Sequence, residues 1–322
     1  MGGRSLDDYG APLFLAWQLT NRCEATCLAC CEESGPDRAW PDELGRDAAL
    51  DLVRQIADLG IPYVAFGGGE PLSVPYSWDV FAALKAAGIA IKLETNGVHI
   101  DEAAADRLAA LGVECVQISV DGATEAAHRL GRPGSSHVAA LAAIDRLTAR
   151  GLPPQLVFVP TRLNLHDLMR TYDLAVAHRC SAFVTGPLMR LGRAAAAWDR
   201  LACDPADWTQ AEAALRRHAA GRPADIALSI YPWDILEELR RRLASPQAML
   251  LVVPNGRVKL LNALPFAPAD LRRDTLEQAW HAYRAAWRSE DVRDFITRCL
   301  QDPALLRHAN ETWPVSGVAV PA

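Results

Sequence analysis

From Leu13 to about Gly221 the chain alternates apolar, strand-like runs with segments of helical period, and no other feature restricts its fold as much. The strand candidates are 13–19, 62–67, 89–95, 113–120, 155–160 and 182–186. Between and after them lie helix-period segments near 46–59, 76–87, 101–111, 136–150, 166–179 and 207–220. Strict β/α alternation argues for a parallel sheet with helices outside it. Gly60, Gly88, Gly112 and Gly151 each follow a helical segment directly, where helix-ending glycines belong. Six β/α units are two short of a closed eight-fold barrel. The expected class is therefore α/β, a partial (β/α)6 TIM-like barrel.

After about residue 222 the rhythm changes. Asp225–Tyr231 and Met249–Leu261 read as strands, and Pro254-Asn255-Gly256 turns the second into a hairpin. Helical patterns follow near 233–243, 274–288 and 290–300. The tail from Trp313, rich in Pro, Gly and Val, is expected to be loosely held. The expected division is residues 1–221 as the barrel and 222–322 as a small α+β C-terminal cover.

Composition excludes several roles. No stretch approaches 18 consecutive apolar residues, so no membrane span is expected. A net charge of −6 with no basic stripe speaks against a nucleic-acid partner. Lysine is confined to Lys85, Lys92 and Lys259, arginine supplying the other cations.

Directly after the first strand comes Cys23-Glu24-Ala25-Thr26-Cys27-Leu28-Ala29-Cys30. Three thiolates at this spacing can close on one iron–sulfur cube. Such clusters normally take four cysteines, so three leave one iron for a ligand from outside the protein. Zinc competes, because Cys31 offers a fourth thiolate. Structural zinc sites draw on two separated pairs, however, and adjacent Cys30 and Cys31 would strain to reach one tetrahedron. A disulfide framework is not expected, given the sparse cysteines and no signal peptide in the sequence pattern. Cys115, Cys180, Cys203 and Cys299 are isolated and read as free thiols. Free thiols beside a cluster loop point to a reducing cytoplasm.

Two strand ends add to this. Phe66-Gly67-Gly68-Gly69-Glu70-Pro71 closes the second strand, and its glycines let backbone approach a neighbour closely. Glu94-Thr95-Asn96-Gly97 closes the third and Gln117-Ile118-Ser119-Val120-Asp121-Gly122 the fourth. Alternation puts Gln117, Ser119 and Asp121 on one face, and polar groups there need partners. His99, His137, His166 and His178 have no partner in view and are expected at the surface.

The Cys-x₃-Cys-x₂-Cys loop, the preceding Leu19-Thr20-Asn21-Arg22 and the Gly68-Gly69-Glu70-Pro71 element together resemble the radical S-adenosylmethionine (SAM) superfamily. His128-Arg129-Leu130-Gly131-Arg132-Pro133-Gly134-Ser135 and Pro187-Leu188-Met189-Arg190-Leu191-Gly192-Arg193-Ala194 resemble elements of its peptide- and cofactor-modifying branch, which includes the pyrroloquinoline quinone and mycofactocin maturases. The resemblance implies that Cys23, Cys27 and Cys30 hold one [4Fe–4S] cluster whose open iron binds SAM. It places Gly68, Gly69, Glu70 and Pro71 at the SAM amino group. Thr95, Asn96, Ser119 and Asp121 fall around the ribose, carboxylate or adjoining substrate pocket. Arg129 or Arg132 would meet a carboxylate, with Arg132 taken as the cofactor contact, and Arg193 would line the mouth.

The implied activity is reductive cleavage of SAM to a 5′-deoxyadenosyl radical that takes hydrogen from a natural-product precursor, a ribosomal peptide being the first expectation. The alternative substrate is a small biosynthetic metabolite, with dehydrogenation, decarboxylation, epimerisation or rearrangement as outcomes. A non-enzymatic iron–sulfur or zinc redox sensor would have no need of a SAM pocket. A flavodoxin or ferredoxin is the implied electron donor. The few residues before the first strand imply a separate carrier protein for a peptide. Cys203, in the loop after the sixth strand, is the candidate hydrogen donor.

The chain departs from the family in two places. Ala29 stands where an aromatic residue is common, which loosens contacts near the adenine. The segments 251–260 and 272–280 resemble the frame of the cysteine-rich SPASM extension, but its auxiliary-cluster cysteines are absent. Leu251, Val253, Leu260, Leu264 and Trp280 are expected to close the barrel's open side by apolar packing instead.

Overall fold

The computed structural model describes residues 6–222 and 226–318. Ten strands are present among them. They are β1 (Phe14–Gln18), β2 (Tyr63–Gly67), β3 (Ala90–Thr95), β4 (Cys115–Ser119), β5 (Gln155–Val157), β6 (Ala182–Thr185), β7 (Ala227–Ile230), β8 (Met249–Val252), β9 (Arg257–Lys259) and β10 (Ala269–Asp270). The six expected barrel strands are β1–β6, each within a few residues of its expected limits. The chain falls into two compact units. The first holds the described residues up to Arg22, then Glu32–Ile91, and those from Ile235 onward. The second holds Cys23–Cys31 and Lys92–Asp234, so β3 contributes to both.

In the first unit the strand order is β10-β9-β8-β1-β2. Strand β1 runs parallel to β2 on one side and to β8 on the other, with Leu15 opposite Val64 and Leu250. Alternation then sorts the side chains. Leu15, Trp17, Val64 and Phe66 are at most 1% exposed. Trp17 stacks on Phe66 at 5.6 Å, and Phe66 meets Phe81 at 4.8 Å. The helix Arg46–Asp58 buries Ala49, Leu52, Val53 and Ile56 and packs against the helices Ser77–Ala86 and Leu276–Ala286. The last of these starts at a capping box built by Thr275 and Gln278.

The C-terminal segment is joined to this sheet directly. Strand β8 is buried at all four positions, as an internal parallel strand should be, and Gly256 turns it into antiparallel β9. Leu251, Val253, Leu260, Leu264 and Trp280 are all buried. The expectation of a loosely held tail is corrected at Trp313, whose ring lies 5.8 Å from Phe266 and 5.4 Å from Phe295 and whose carbonyl accepts from Ala267 N; residues 319–322 of that tail lie outside the described residues. Aromatic packing holds that part of the chain.

In the second unit the order is β3-β4-β5-β6-β7, all parallel. Leu93, Val116, Ile118, Leu156 and Phe183 are at most 1% exposed. The helix His137–Ala149 packs on β4, and Leu168–Ala177 packs on β6. Strand β5 stops short of the expected 155–160 because Val159 N turns to the Asp121 carboxylate at 2.8 Å rather than to a neighbouring strand. Asp225, where a strand was expected to begin, lies outside the described residues, and β7 starts at Ala227. Strands β7 and β10 are not paired with each other among the described residues, so no closed barrel forms. No helix among the described residues is long and apolar enough to cross a membrane.

Candidate active site

The three-cysteine loop belongs to the second unit and is clamped at its backbone from two sides. Thr26 N donates to Pro133 O and Leu28 N to Gly131 O, both at 2.8 Å. From the other side Arg193 N donates to Cys30 O at 3.0 Å and Arg193 Nε to Cys27 O at 2.7 Å. Gly192 makes this clamp possible. A Cβ there would sit 2.3 Å from Cys31 O and 2.6 Å from Cys30 O, and its φ of +50° is one that other residues rarely adopt. The two motifs quoted above, around Arg132 and Arg193, are therefore the jaws of one clamp. Leu28 and Ala29 pack against Leu188, Ala194 and Leu201. The small residue at 29 is thus part of an apolar cluster.

Polar groups meet two of the sulfurs. Asn96 Nδ2 lies 3.7 Å from Cys23 Sγ, and Arg132 Nη1 lies 3.6 Å from Cys27 Sγ. Burial pushes the Cys27 thiol up, while the Arg132 charge opposes that shift. Arg132 is itself held by Asp121, Nε to Oδ2 at 2.6 Å, and the two side chains are 12% and 4% exposed. The other Asp121 oxygen accepts from Val159 N, so both carboxylate oxygens have protein donors. Thr95 Oγ1 accepts from Gly97 N at 3.0 Å. The Ser119 hydroxyl, half-buried, has no hydrogen bond to the described residues.

Two histidines complete this region. His128 Nδ1 accepts from Asp121 N at 3.2 Å, which leaves Nε2 to carry the proton and donate to Ser135 Oγ at 3.0 Å. Burial holds His128 down to about 3, and the nearby Arg132 and His137 add to that. His137 Nε2 reaches Gly122 O, His99 meets Glu24 at 2.7 Å, and His178 meets Asp145 at 2.6 Å. The expectation that these histidines lack partners is therefore corrected for 99, 137 and 178, and the surface expectation is corrected for the buried His137, while His99 is exposed as expected. His166 is exposed.

The His128 shift sets a pH dependence. Between about pH 6.5, the ordinary histidine value, and about 3 the unfolded chain takes up a proton that the folded ring refuses. The unfolded state binds more protons there, so the stability this group contributes is complete above that window and is lost as pH falls through it. His128→Asn, which keeps an acceptor for Asp121 N, should show a shallower fall of unfolding midpoint on acidification than the wild type. Parallel curves in thermal melts from pH 7 to 4 would show that His128 does not carry this slope.

The glycine run lies in the first unit and serves a different contact. Gly69 N donates to Thr20 O at 2.9 Å and Glu70 N to Arg22 O at 2.8 Å. A Cβ on Gly69 would stand 2.0 Å from Arg22 O, so only glycine fits. Glu70 is fully buried and caps the turn Pro71–Ser73 through Leu72 N at 3.2 Å. The run thus seats Gly68–Pro71 against the backbone of Thr20–Arg22, the residues leading into Cys23.

Cys203 stands apart. It follows Leu201, which packs near Leu28 and Ala29, but no hydrogen bond joins its thiol to the cluster loop among the described residues. Burial pushes that thiol up, with Asp207 adding. Cys299 is buried in the helix Glu290–Gln301 and is pushed up to about 11 by burial. Sequence reasoning had quoted the residues around His128 and Arg193 but had not paired them with Asp121 or the Cys27 carbonyl. Only proximity across more than 100 residues reveals the Arg193 contact.

The donor set suits an iron–sulfur cube. Arg193 Nη2 is buried with no hydrogen-bond partner among the described residues, beside a loop that would carry anionic sulfur. No three described His, Cys, Asp or Glu side chains converge as ligands of a single ion, whereas a cube takes one thiolate per iron.

Residues 17–175 match the family model of the radical SAM superfamily. Mycofactocin maturase MftC of Mycobacterium ulcerans is 34% identical over 192 residues, 59% of this chain and 51% of that protein. The PqqA peptide cyclase of Streptomyces rochei is 34% identical over 167 residues, 52% of this chain and 46% of that one. An AdoMet-dependent heme synthase of Methanosarcina barkeri is 30% identical over 167 residues, 51% and 47% of the two chains. The chain spans about half the length of these curated relatives. Among solved structures, Streptococcus suis SuiB bound to precursor peptide SuiA superposes with a TM-score of 0.72 at 15% identity, covering 92% of this chain and 71% of that one. At that identity the likeness shows the fold, an α/β partial barrel. Three cysteines at the family's spacing lie within residues 17–175, and that segment is a radical SAM domain.

Proposed function

We propose that this chain is a radical SAM enzyme that modifies a ribosomally made peptide. The observation that carries this is the clamped loop Cys23–Cys30, with Asn96 and Arg132 at two of its sulfurs, inside the segment that matches the family. Radical SAM enzymes use a [4Fe–4S] cluster and SAM; here Cys23, Cys27 and Cys30 would hold the first. Gly68, Gly69, Glu70, Pro71, Thr95, Asn96, Ser119 and Asp121 would serve the second. When bound, that pair supplies reductive cleavage of SAM and a carbon radical able to take a hydrogen atom.

The chain's own residues prepare the site. Gly131–Gly134 and Gly192–Arg193 hold the loop backbone, so the three thiolates keep their spacing. Arg132, fixed by Asp121, brings a positive charge to the Cys27 sulfur. This supports a role for Arg132 and Asp121 in positioning the loop, while the open Ser119 hydroxyl is the better direct contact for SAM. Leu28, Ala29, Leu188 and Leu201 line one side with apolar surface and keep water from it.

A peptide is favoured because relatives include mycofactocin maturase and PqqA peptide cyclase. The heme synthase relatives favour a second reading, a small biosynthetic metabolite. A flavodoxin or ferredoxin is the proposed electron donor, a carrier protein the proposed peptide partner, and the reducing cytoplasm the setting. Cys203 serves as hydrogen donor if the outcome is redox-neutral, since its raised pKa keeps the S–H that such a step needs. Anaerobic, reconstituted and reduced protein should convert SAM to 5′-deoxyadenosine and methionine. A chain that holds its cluster and forms neither product under those conditions is not a radical SAM enzyme.

A further inference from the structure

The sheet of the second unit has one face closed by helices and one face of another character. Leu93, Val116, Ile118, Leu156 and Phe183, at most 1% exposed, occupy the closed face. Alternation places Lys92, Glu94, Cys115, Gln117, Ser119 and Gln155 on the other. The register puts Glu94 opposite Gln117, and Gln117 opposite Gln155. These three therefore form a transverse row across β3, β4 and β5, at a level that barrels of this kind usually fill with branched apolar residues.

The row is only partly satisfied. Gln117 Nε2 donates to Gln155 Oε1 at 2.7 Å. That leaves the Gln117 carboxamide oxygen and the Gln155 NH₂ without partners among the described residues. Exchanging oxygen and nitrogen in both amides leaves the same inventory, one open acceptor beside one open donor. Glu94 accepts from Lys92 Nζ through Oε1 at 2.6 Å, its side chain is half exposed, and its second oxygen is open. Ser119 lies on the same strand and face as Gln117, two residues and about 6.6 Å further on. The row is thus one level below the residue proposed to contact SAM.

We propose that Glu94, Gln117 and Gln155 form a recognition row for an amide-bearing substrate, a peptide. One substrate amide spans the glutamine pair, its carbonyl accepting from the open NH₂ and its N–H donating to the open carboxamide oxygen. Glu94 takes an adjoining cationic group such as a lysine ammonium. The proposal rests on the peptide-modifying reading above and names the feature of the peptide that is read.

The test uses the full chain, reconstituted anaerobically with iron, sulfide and SAM. Pools of acetylated tetrapeptide amides, each with one position fixed as Lys, Glu or Leu, are equilibrated with it, and retained peptides are quantified by mass spectrometry after ultrafiltration. The wild type should retain peptide with a preference for the Lys pools. The Gln117→Leu/Gln155→Leu double variant should retain at least tenfold less. Replacing both members of a hydrogen-bonded pair by apolar groups of like size is close to neutral for folding, and melting temperature and iron content check this. Glu94→Gln, a conservative change at a half-exposed side chain, should bring the Lys preference to parity and gives a measurement independent of the double variant. Equal retention by wild type and double variant, a Lys preference that survives Glu94→Gln, or no peptide retained by the wild type would each overturn the row. Peptide retention without 5′-deoxyadenosine formation would instead remove the radical reading and leave the row standing.

Discussion

Replacing Cys23, Cys27 or Cys30 with Ala is expected to abolish both the cluster absorbance and the cleavage of SAM. Cys31→Ala should leave both largely intact. On the proposed reading three protein thiolates and one SAM would complete the cube, and a fourth adjacent cysteine would have no iron to serve. The Cys31 carbonyl stands against Gly192, and losing the side chain leaves that backbone approach in place. Beyond residue 200 the chain has only Cys203 and Cys299, too few for a second all-cysteine cluster. Cys299 is moreover a fully buried core thiol. Iron analysis of reconstituted protein should give about four irons per chain, one cube. Cluster loss in Cys31→Ala alone would overturn the ligand assignment. A value near eight, with a cluster signal surviving in the Cys23/Cys27/Cys30 triple-Ala variant, would overturn the single-cluster reading.

Arg132→Leu is expected to be the most damaging substitution outside the cysteines. It strands the Asp121 carboxylate, 4% exposed, with Val159 N as its remaining side-chain partner. Breaking a buried ion pair by removing one member costs about 3–5 kcal/mol, because the other charge is left unpaired. The same change takes the cation from the Cys27 sulfur. The double variant Arg132→Leu/Asp121→Asn should recover much of the lost stability, since no buried charge remains, yet should not recover tight cluster binding. Thermal unfolding read beside iron content separates the two effects. A single variant as stable as the wild type would show that the pair does not hold this part of the fold.

Most of the secondary structure was legible because its signals are local. Alternating burial in Leu15, Trp17, Val64 and Phe66 repeats every two residues, and Ala49, Leu52, Val53 and Ile56 repeat at helical spacing. The glycines that end helices mark themselves, and Gly60, Gly88, Gly112 and Gly151 all take positive φ. The cysteine loop was legible for a different reason: the spacing within eight residues is itself the chemical requirement. Alternation also put Gln117, Ser119 and Asp121 on one face without any knowledge of what lies opposite.

What sequence alone left undecided is which distant groups meet. Arg132 was expected to face a carboxylate; that this is Asp121, with Cys27 105 positions away at its other end, follows only from the folded chain. Arg193 reaches Cys27 across 166 positions, and Gly192 is needed because of a carbonyl on another segment. Strand β8 was legible as a strand, but its parallel place beside β1 was not. Trp313 looked like part of a free tail until Phe266 and Phe295 came to surround it. Periodicity and turn chemistry act over a few residues and are written along the chain. Ion pairs, close backbone approaches and strand neighbours depend on loop closures of a hundred residues or more, and no local pattern carries that information. The sequence determined the elements and the chemistry of the cysteine loop; the tertiary structure decided which side chains hold that loop in place.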